Sequence, residues 1–220
     1  MAAVASFLVA GLSGSSAAEA KKGPERWESS MVKFEESDKV DPPPKGGVLF
    51  VGSSSIRMWK TLAEDFPGHE TINRGFGGSE VSDSIHFADR IVFPHEPRMI
   101  VMYAGDNDIS HGKGARRVSA DFKKFVKMVN KKLPKTRIAF IAIKPSLKRW
   151  ELAGEMEKAN LRIKKRCDRS KLLDYLDIWT PMLGADGKPR PELFAKDGLH
   201  LNAQGYTLWT SVIRPFVDKK

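Results

Sequence analysis

Two hydrophobic rhythms alternate along the chain. Short runs rich in β-branched and aromatic residues, at 48–51 (VLFV), 98–103 (RMIVMY), 137–143 (RIAFIAI) and 172–176, read as strands buried on both faces, and 70–73 as a shorter one. Between them, apolar residues recur at helical spacing. Val81, Ile85, Ala88 and Val92 form one stripe. Phe122, Phe125, Val126, Val129 and Leu133 form a second, with Lys123, Lys124, Lys127 and Lys131 outside it. Leu152, Met156, Ala159, Ile163 and Cys167 form a third; Leu208, Val212, Ile213 and Phe216 are the expected inner face of a last helix, with Asn202 as its cap. Residues 56–66 also read as a helix, ended by Pro67-Gly68. Such alternation predicts an α/β fold: a three-layer α/β/α sandwich on a flavodoxin-like, five-stranded parallel sheet with right-handed crossovers. In the order 2-1-3-4-5 the carboxyl ends of the first three strands meet at a switch point, where ligands bind in open α/β sheets.

The residues ahead of the first strand divide in two. Ala2 to Leu12 is small and apolar, and Ala18-Glu19-Ala20 fits a small-x-small cleavage site, so residues 1–20 read as a signal peptide and the protein as secreted or periplasmic. The apolar run is too short to span a membrane, and no Lys or Arg precedes it. Residues 21–45 read as an N-terminal arm in which Trp27, Met31 and Phe34 pin a short helix, and Asp41-Pro42-Pro43-Pro44 prevents that helix from continuing. One domain, 46–220, follows.

Composition narrows the function classes. With 220 residues, one cysteine and a net charge of +10, the chain has no disulfide framework and no cysteine-rich zinc site. Cys167 lies on an apolar stripe and reads as buried and inert. Much of the positive excess alternates with apolar residues as solvated helix faces, and no zinc finger or RNA-binding aromatic pattern accompanies it, so nucleic acid is not the expected partner.

Chemistry-bearing residues stand in four turns. The first strand ends in Gly52-Ser53-Ser54-Ser55, serines that also suit a helix cap. The second ends in Asn73-Arg74-Gly75-Phe76-Gly77-Gly78, where glycines permit close backbone approach but the Walker lysine is absent. The third ends in Gly105-Asp106-Asn107-Asp108, which lacks the remaining ligands of a calcium loop. Before the last helix stands Asp197-Gly198-Leu199-His200, in which the aspartate can bond one imidazole nitrogen and leave the other basic. A serine, backbone amides, an asparagine amide and an Asp-His pair are the parts of acyl transfer.

Together these four turns resemble the blocks of the SGNH hydrolase superfamily, also called the GDSL esterases and lipases. Gly52-Ser53-Ser54 stands where Gly-Asp-Ser is usual, which implies Ser54 as nucleophile, with Ser55 as the other serine within reach. The resemblance implies Asp197 and His200 as the rest of a triad. It implies an oxyanion hole of the Ser54 and Gly78 amides, with Gly77 or Gly75 as other donors, and the Asn107 side chain. No Gly-x-Ser-x-Gly surrounds Ser54, which sets the chain apart from α/β-hydrolases.

The implied activity is a serine esterase on short-chain, above all acetyl, esters of carbohydrates, without metal or organic cofactor. A lysophospholipase or thioesterase for longer acyl chains and a non-catalytic glycan-binding domain are the alternatives. Arg57, Lys144 and Phe194, with Trp59 and Trp150, are expected to line the cleft. Activity is expected to fall as the pH drops through the titration of the histidine base.

Overall fold

The computed structural model describes residues 23–219; the leader expected over residues 1–20 lies outside them. Five parallel strands, β1 (Val48–Gly52), β2 (Thr71–Gly75), β3 (Met99–Tyr103), β4 (Arg137–Ile141) and β5 (Leu173–Leu176), form one sheet in the order β2-β1-β3-β4-β5. This is the flavodoxin-like order expected for the sheet. Every residue of β1 and β3 is buried, because helices cover both faces of the sheet. Around it lie α1 (Glu28–Val40), α2 (Ser54–Arg57), α3 (Leu62–Asp65), α4 (Val81–His86), α5 (Ala88–Ile91), α6 (Asp106–Ser110), α7 (Ala115–Lys132), α8 (Ala153–Cys167) and α9 (Ala203–Val217). No helix among the described residues is long and apolar enough to cross a membrane.

The two faces of the sheet are packed by different chemistry. On one, Phe50 and Tyr103 meet Trp59, Phe66 and Trp209, whose ring centroids lie 4.9–6.0 Å apart from one contact to the next. On the other, Phe140 packs on Phe122 of α7, and α8 lies beside α7. The α7 stripe is buried through Phe122, Phe125, Val126 and Val129, and in α8 Cys167 is buried, its thiol pushed up to about 12 by loss of solvent.

The helices depart from the periodicity where aromatic side chains turn inward. The helix expected over residues 56–66 is two short ones, α2 and α3. Trp59, 1% exposed, drops into the core between them and donates from Nε1 to Asp65 Oδ2 at 2.6 Å. Burial of a large aromatic outweighs continuation of the helix, although Arg57, Met58, Lys60, Leu62, Ala63 and Glu64 are good helix formers. The stripe over 81–92 is likewise broken into α4 and α5 at Phe87, which is buried edge-on against Phe76. On α9 the buried stripe is Tyr206, Trp209, Thr210, Ile213 and Val217; Leu208, Val212 and Phe216 sit at its margin.

Register brings the active turns to one level. Gly52 pairs with Gly75 on one side and with Tyr103 on the other, so β1, β2 and β3 end together. Gly52 adopts φ +137°, and a Cβ there would stand 1.8 Å from Tyr103 O, so only glycine lets the chain leave β1 at this point. Ahead of the sheet, Met31 of α1 is fully buried and Trp27 and Phe34 pack against the core, as their spacing predicts.

Candidate active site

Ser54 is the first residue of α2, directly after the Gly52 turn. Its Oγ lies 3.0 Å from His200 Nε2, and His200 Nδ1 lies 2.5 Å from Asp197 Oδ2. The neighbouring serines cannot substitute. Ser53 and Ser55 are buried, and their hydroxyls have no hydrogen-bond partner among the described residues.

The His200 loop is shaped by its own aspartate. Asp197 Oδ1 accepts from the backbone N–H of Leu199 and of His200, both at 2.9 Å, while Oδ2 holds the ring. Partial burial pushes the Asp197 carboxyl up, but hydrogen bonds from the ring and the two amides outweigh it and hold the group well below the usual carboxylate range. It is therefore ionised and fixes the ring so that Nε2 faces the serine. Asn202 caps α9 by accepting from Gly205 N at 3.1 Å, as expected. From the same helix the Tyr206 hydroxyl donates to Ser55 O at 2.9 Å, which ties the histidine-bearing segment to the serine turn.

Unpartnered donors surround the serine. Among the described residues, the backbone N–H groups of Ser54, Gly77 and Gly78 make no hydrogen bond. Gly75 is excluded as a donor because its N–H is bonded to Asn73 Oδ1 at 2.9 Å. A Cβ on Gly75 would also stand 2.2 Å from Arg57 N, so this glycine serves close packing of β2 against α2. Asn73 itself donates to Ile56 O at 2.8 Å and pins the two turns together, a role the sequence reading did not assign.

The Asn107 amide is oriented at both ends. Nδ2 donates to Ser79 O at 3.0 Å, and Oδ1 accepts from Arg149 at 3.1 Å, which leaves one N–H of the amide for a ligand. Beneath it, Asp106 accepts from the Asn107 N–H at 2.9 Å and from Lys144 Nζ at 3.2 Å, and Arg149 lies 3.3 Å away. Burial alone would raise the Asp106 carboxyl, but the Lys144 and Arg149 charges outweigh it and keep the group ionised and below its ordinary value. Asp108, two residues on, differs. Burial pushes it up to about 7 although Lys113 lies 3.6 Å from Oδ1, because Glu80 opposes that cation and Oδ1 has no hydrogen-bond partner.

The cleft over these groups has a volume of about 510 Å³ and includes Trp27, Ser30, Arg57, Arg149 and Leu199 beside the catalytic candidates. Arg57 lines it, as expected. Lys144 does not: it is 1% exposed and its ammonium is spent on Asp106 and the Tyr103 hydroxyl, because the chain after β4 turns it inward. Phe194, 6% exposed, packs in the core beside an isolated bridge to Leu201, and Trp59 is in the aromatic core. Trp150 stacks on Trp179 away from the cleft. Trp27 was missed as a wall: its ring edge would meet a Cβ on Gly78 at 3.3 Å, and its Nε1 donates to Asp83 at 3.2 Å. Arg149 was missed as well, and no local spacing marks it. Among the described residues no group of three or more His, Cys, Asp and Glu side chains is arranged to hold a metal ion.

The profile of the GDSL-like Lipase/Acylhydrolase family matches residues 47–208. A search of curated protein sequences gave no match. Among solved structures the chain is similar to a GDSL-like lipase from Bacteroides thetaiotaomicron VPI-5482, at 18% identity and TM-score 0.75, over 86% of this chain and 97% of that one. It is similar to an acetyl xylan esterase at 21% identity and TM-score 0.66, over 77% of this chain and 98% of that one. A mutant of an acetyl-xylooligosaccharide esterase from Geobacillus Stearmophilus matches at 13% identity and TM-score 0.65, over 81% and 97% of the two chains. At these identities the likeness is one of fold.

Proposed function

The chain belongs to the GDSL-like lipase/acylhydrolase family, and from that premise we propose that it is a serine esterase that removes short acyl groups, acetyl above all, from carbohydrate esters. The observation that carries this reading is the unbroken Ser54–His200–Asp197 relay, 3.0 and 2.5 Å at its two links, opening on a cleft beside free amide donors.

In this mechanism Ser54 Oγ attacks the ester carbonyl carbon while His200 Nε2 takes its proton, and Asp197 stabilises the imidazolium that forms. The carbonyl oxygen becomes an oxyanion facing the N–H groups of Ser54, Gly78 or Gly77, and Asn107; each such donor is worth about 3 kcal/mol at the barrier. His200 returns the proton to the departing alcohol. A water then repeats the sequence at the acyl-enzyme and releases the acid.

A short acyl group fits the lining. Trp27 and Leu199 are the large apolar side chains of the cleft, and the rest is glycine backbone, hydroxyl, amide, imidazole and guanidinium. A long acyl chain would find little apolar area there. The carbohydrate part of the reading draws on the two acetyl-ester hydrolases among the similar folds. Export belongs to the same reading and rests on the apolar leader; N-terminal sequencing of the mature chain tests it.

The test is hydrolysis of para-nitrophenyl esters from acetate to palmitate by the wild type and Ser54→Ala. Turnover that is fastest on acetate, falls with acyl length and drops by at least about 10⁴-fold in the variant is the expected result. A long-chain optimum moves the substrate to lipids. Full activity in Ser54→Ala removes the site.

A further inference from the structure

Two grooves share Arg57 in their walls. One is the cleft over Ser54; the other, of about 420 Å³, is lined by apolar Phe34, Trp59, Leu62 and Ala63 with Lys60 and Asn73 among them, and Arg57 belongs to both. Neither lining contains an aspartate or glutamate, whereas Arg57, Lys60 and Arg149 all contribute to the two walls.

The cations there are held without being neutralised. The exposed Arg57 side chain makes no hydrogen bond or ion pair among the described residues; its backbone N–H donates to Ser53 O at 3.1 Å. Its guanidinium lies across Gly77, where a Cβ would stand 2.9 Å from Nε and 3.3 Å from Cζ, so the glycine turn leaves the space that this group occupies. Arg149 does have a carboxylate, Asp106, but Asp106 also faces buried Lys144, so two cations share one anion and a positive charge is left over beside the cleft. The one carboxylate near the nucleophile on the other side, Asp197, is committed to His200.

We infer that the ester this site takes is that of an anionic alcohol: the leaving group carries a carboxylate that reaches Arg57 while its acyl group sits over Ser54. This rests on the esterase reading above. A planar guanidinium without a protein partner suits bidentate binding of a carboxylate, and the second groove gives the alcohol portion a path past Arg57 toward Lys60. The acyl side is a poor place for the anion, because there it would face the developing oxyanion.

The experiment compares para-nitrophenyl acetate with its ring-carboxylated analogue, each rate divided by that ester's hydroxide hydrolysis rate. The expected wild-type preference for the carboxylated ester in kcat/KM is about tenfold at low salt, the size of one charge-assisted hydrogen bond. It shrinks as salt rises, collapses in Arg57→Gln and falls to an intermediate value in Arg57→Lys, which keeps the charge and loses the bidentate fork. Thermal melts check that the variants fold. An equal loss on both esters in Arg57→Gln, an unchanged preference, or a wild-type preference for the neutral ester overturns the inference. If neither ester is turned over, the hydrolase reading fails separately, and titration of both esters into Ser54→Ala decides the anion site. Tighter binding of the carboxylated ester upholds it, and equal binding overturns it.

Discussion

Asp197 and Asp106 flank the same serine turn and each orients a polar partner, yet their surroundings are opposite. The Asp197 side chain is 42% exposed; that of Asp106 is 7% exposed. Asp197 finds its partners within three residues, through two backbone amides and the His200 ring. Asp106 draws on Lys144 and Arg149, 38 and 43 residues away in sequence beyond β4. An exposed carboxylate costs little to keep charged, so it serves one orientation and contributes little to the fold. A buried carboxylate is tolerable only when its charge is answered on the spot, so its orienting function cannot be separated from stability. The difference predicts which substitutions silence the enzyme and which unfold it.

The widest separation is expected from Asp197→Asn. The asparagine amide offers Nδ1 a donor, the ring settles in the wrong tautomer, and kcat falls by about 10⁴-fold. The melting temperature stays close to wild type. A large loss of stability in this variant would erase the contrast. Asp106→Asn should do the reverse: removing the anion leaves Lys144 and Arg149 facing each other in a buried site, at a cost of about 3–5 kcal/mol in denaturant unfolding. Its ester turnover, assayed below the melt, should fall less than in Asp197→Asn, because the Asn107 amide keeps its bonds to Ser79 and Arg149.

A pH experiment sharpens the comparison on the buried side. Asp108 is raised by burial from 3.8 to about 7, so between those values the unfolded chain releases a proton that the folded protein keeps. Stability contributed by this group is therefore full at acid pH and lost as pH rises to about 7. Asp108→Asn should be least favourable relative to wild type near pH 4 and gain on it by up to a few kcal/mol by pH 7.5, read as the difference of two unfolding curves. A pH-independent difference would show that Asp108 is ionised in the fold. The smallest effect belongs to the exposed side: Asn202→Ala removes the cap of α9 and costs about 1 kcal/mol, with a modest loss of activity as the His200 loop loosens.

The parts that proved readable were local. Strand positions followed from apolar runs, the parallel sheet followed from the alternation of strands and helices, and its order β2-β1-β3-β4-β5 is the flavodoxin-like one expected. The Ser54 turn, the Gly77-Gly78 turn, Asn107 and the Asp197-x-x-His200 loop each carry their signal within a few consecutive residues. Side chains that reach across the molecule were the ones misplaced. Lys144 and Phe194 follow strand β4 and precede the histidine loop, as cleft residues should, but a long amphipathic side chain and a large apolar one are directed by what they can bury against. Lys144 found Asp106, and Phe194 found the core. Conversely, Trp27 became a wall of the cleft because α1 packs back over the glycine turn.

What the sequence determined by itself was therefore the layered fold and the turns that carry the candidate reacting groups, since periodicity and turn chemistry act between near neighbours. Which glycine amides stay free, where the Arg57 guanidinium lies, and whether a lysine faces solvent or a buried aspartate were decided by the tertiary structure alone. Those outcomes depend on the partners that long-range packing brings within hydrogen-bond distance, and on the loss of solvent that makes each such pairing necessary.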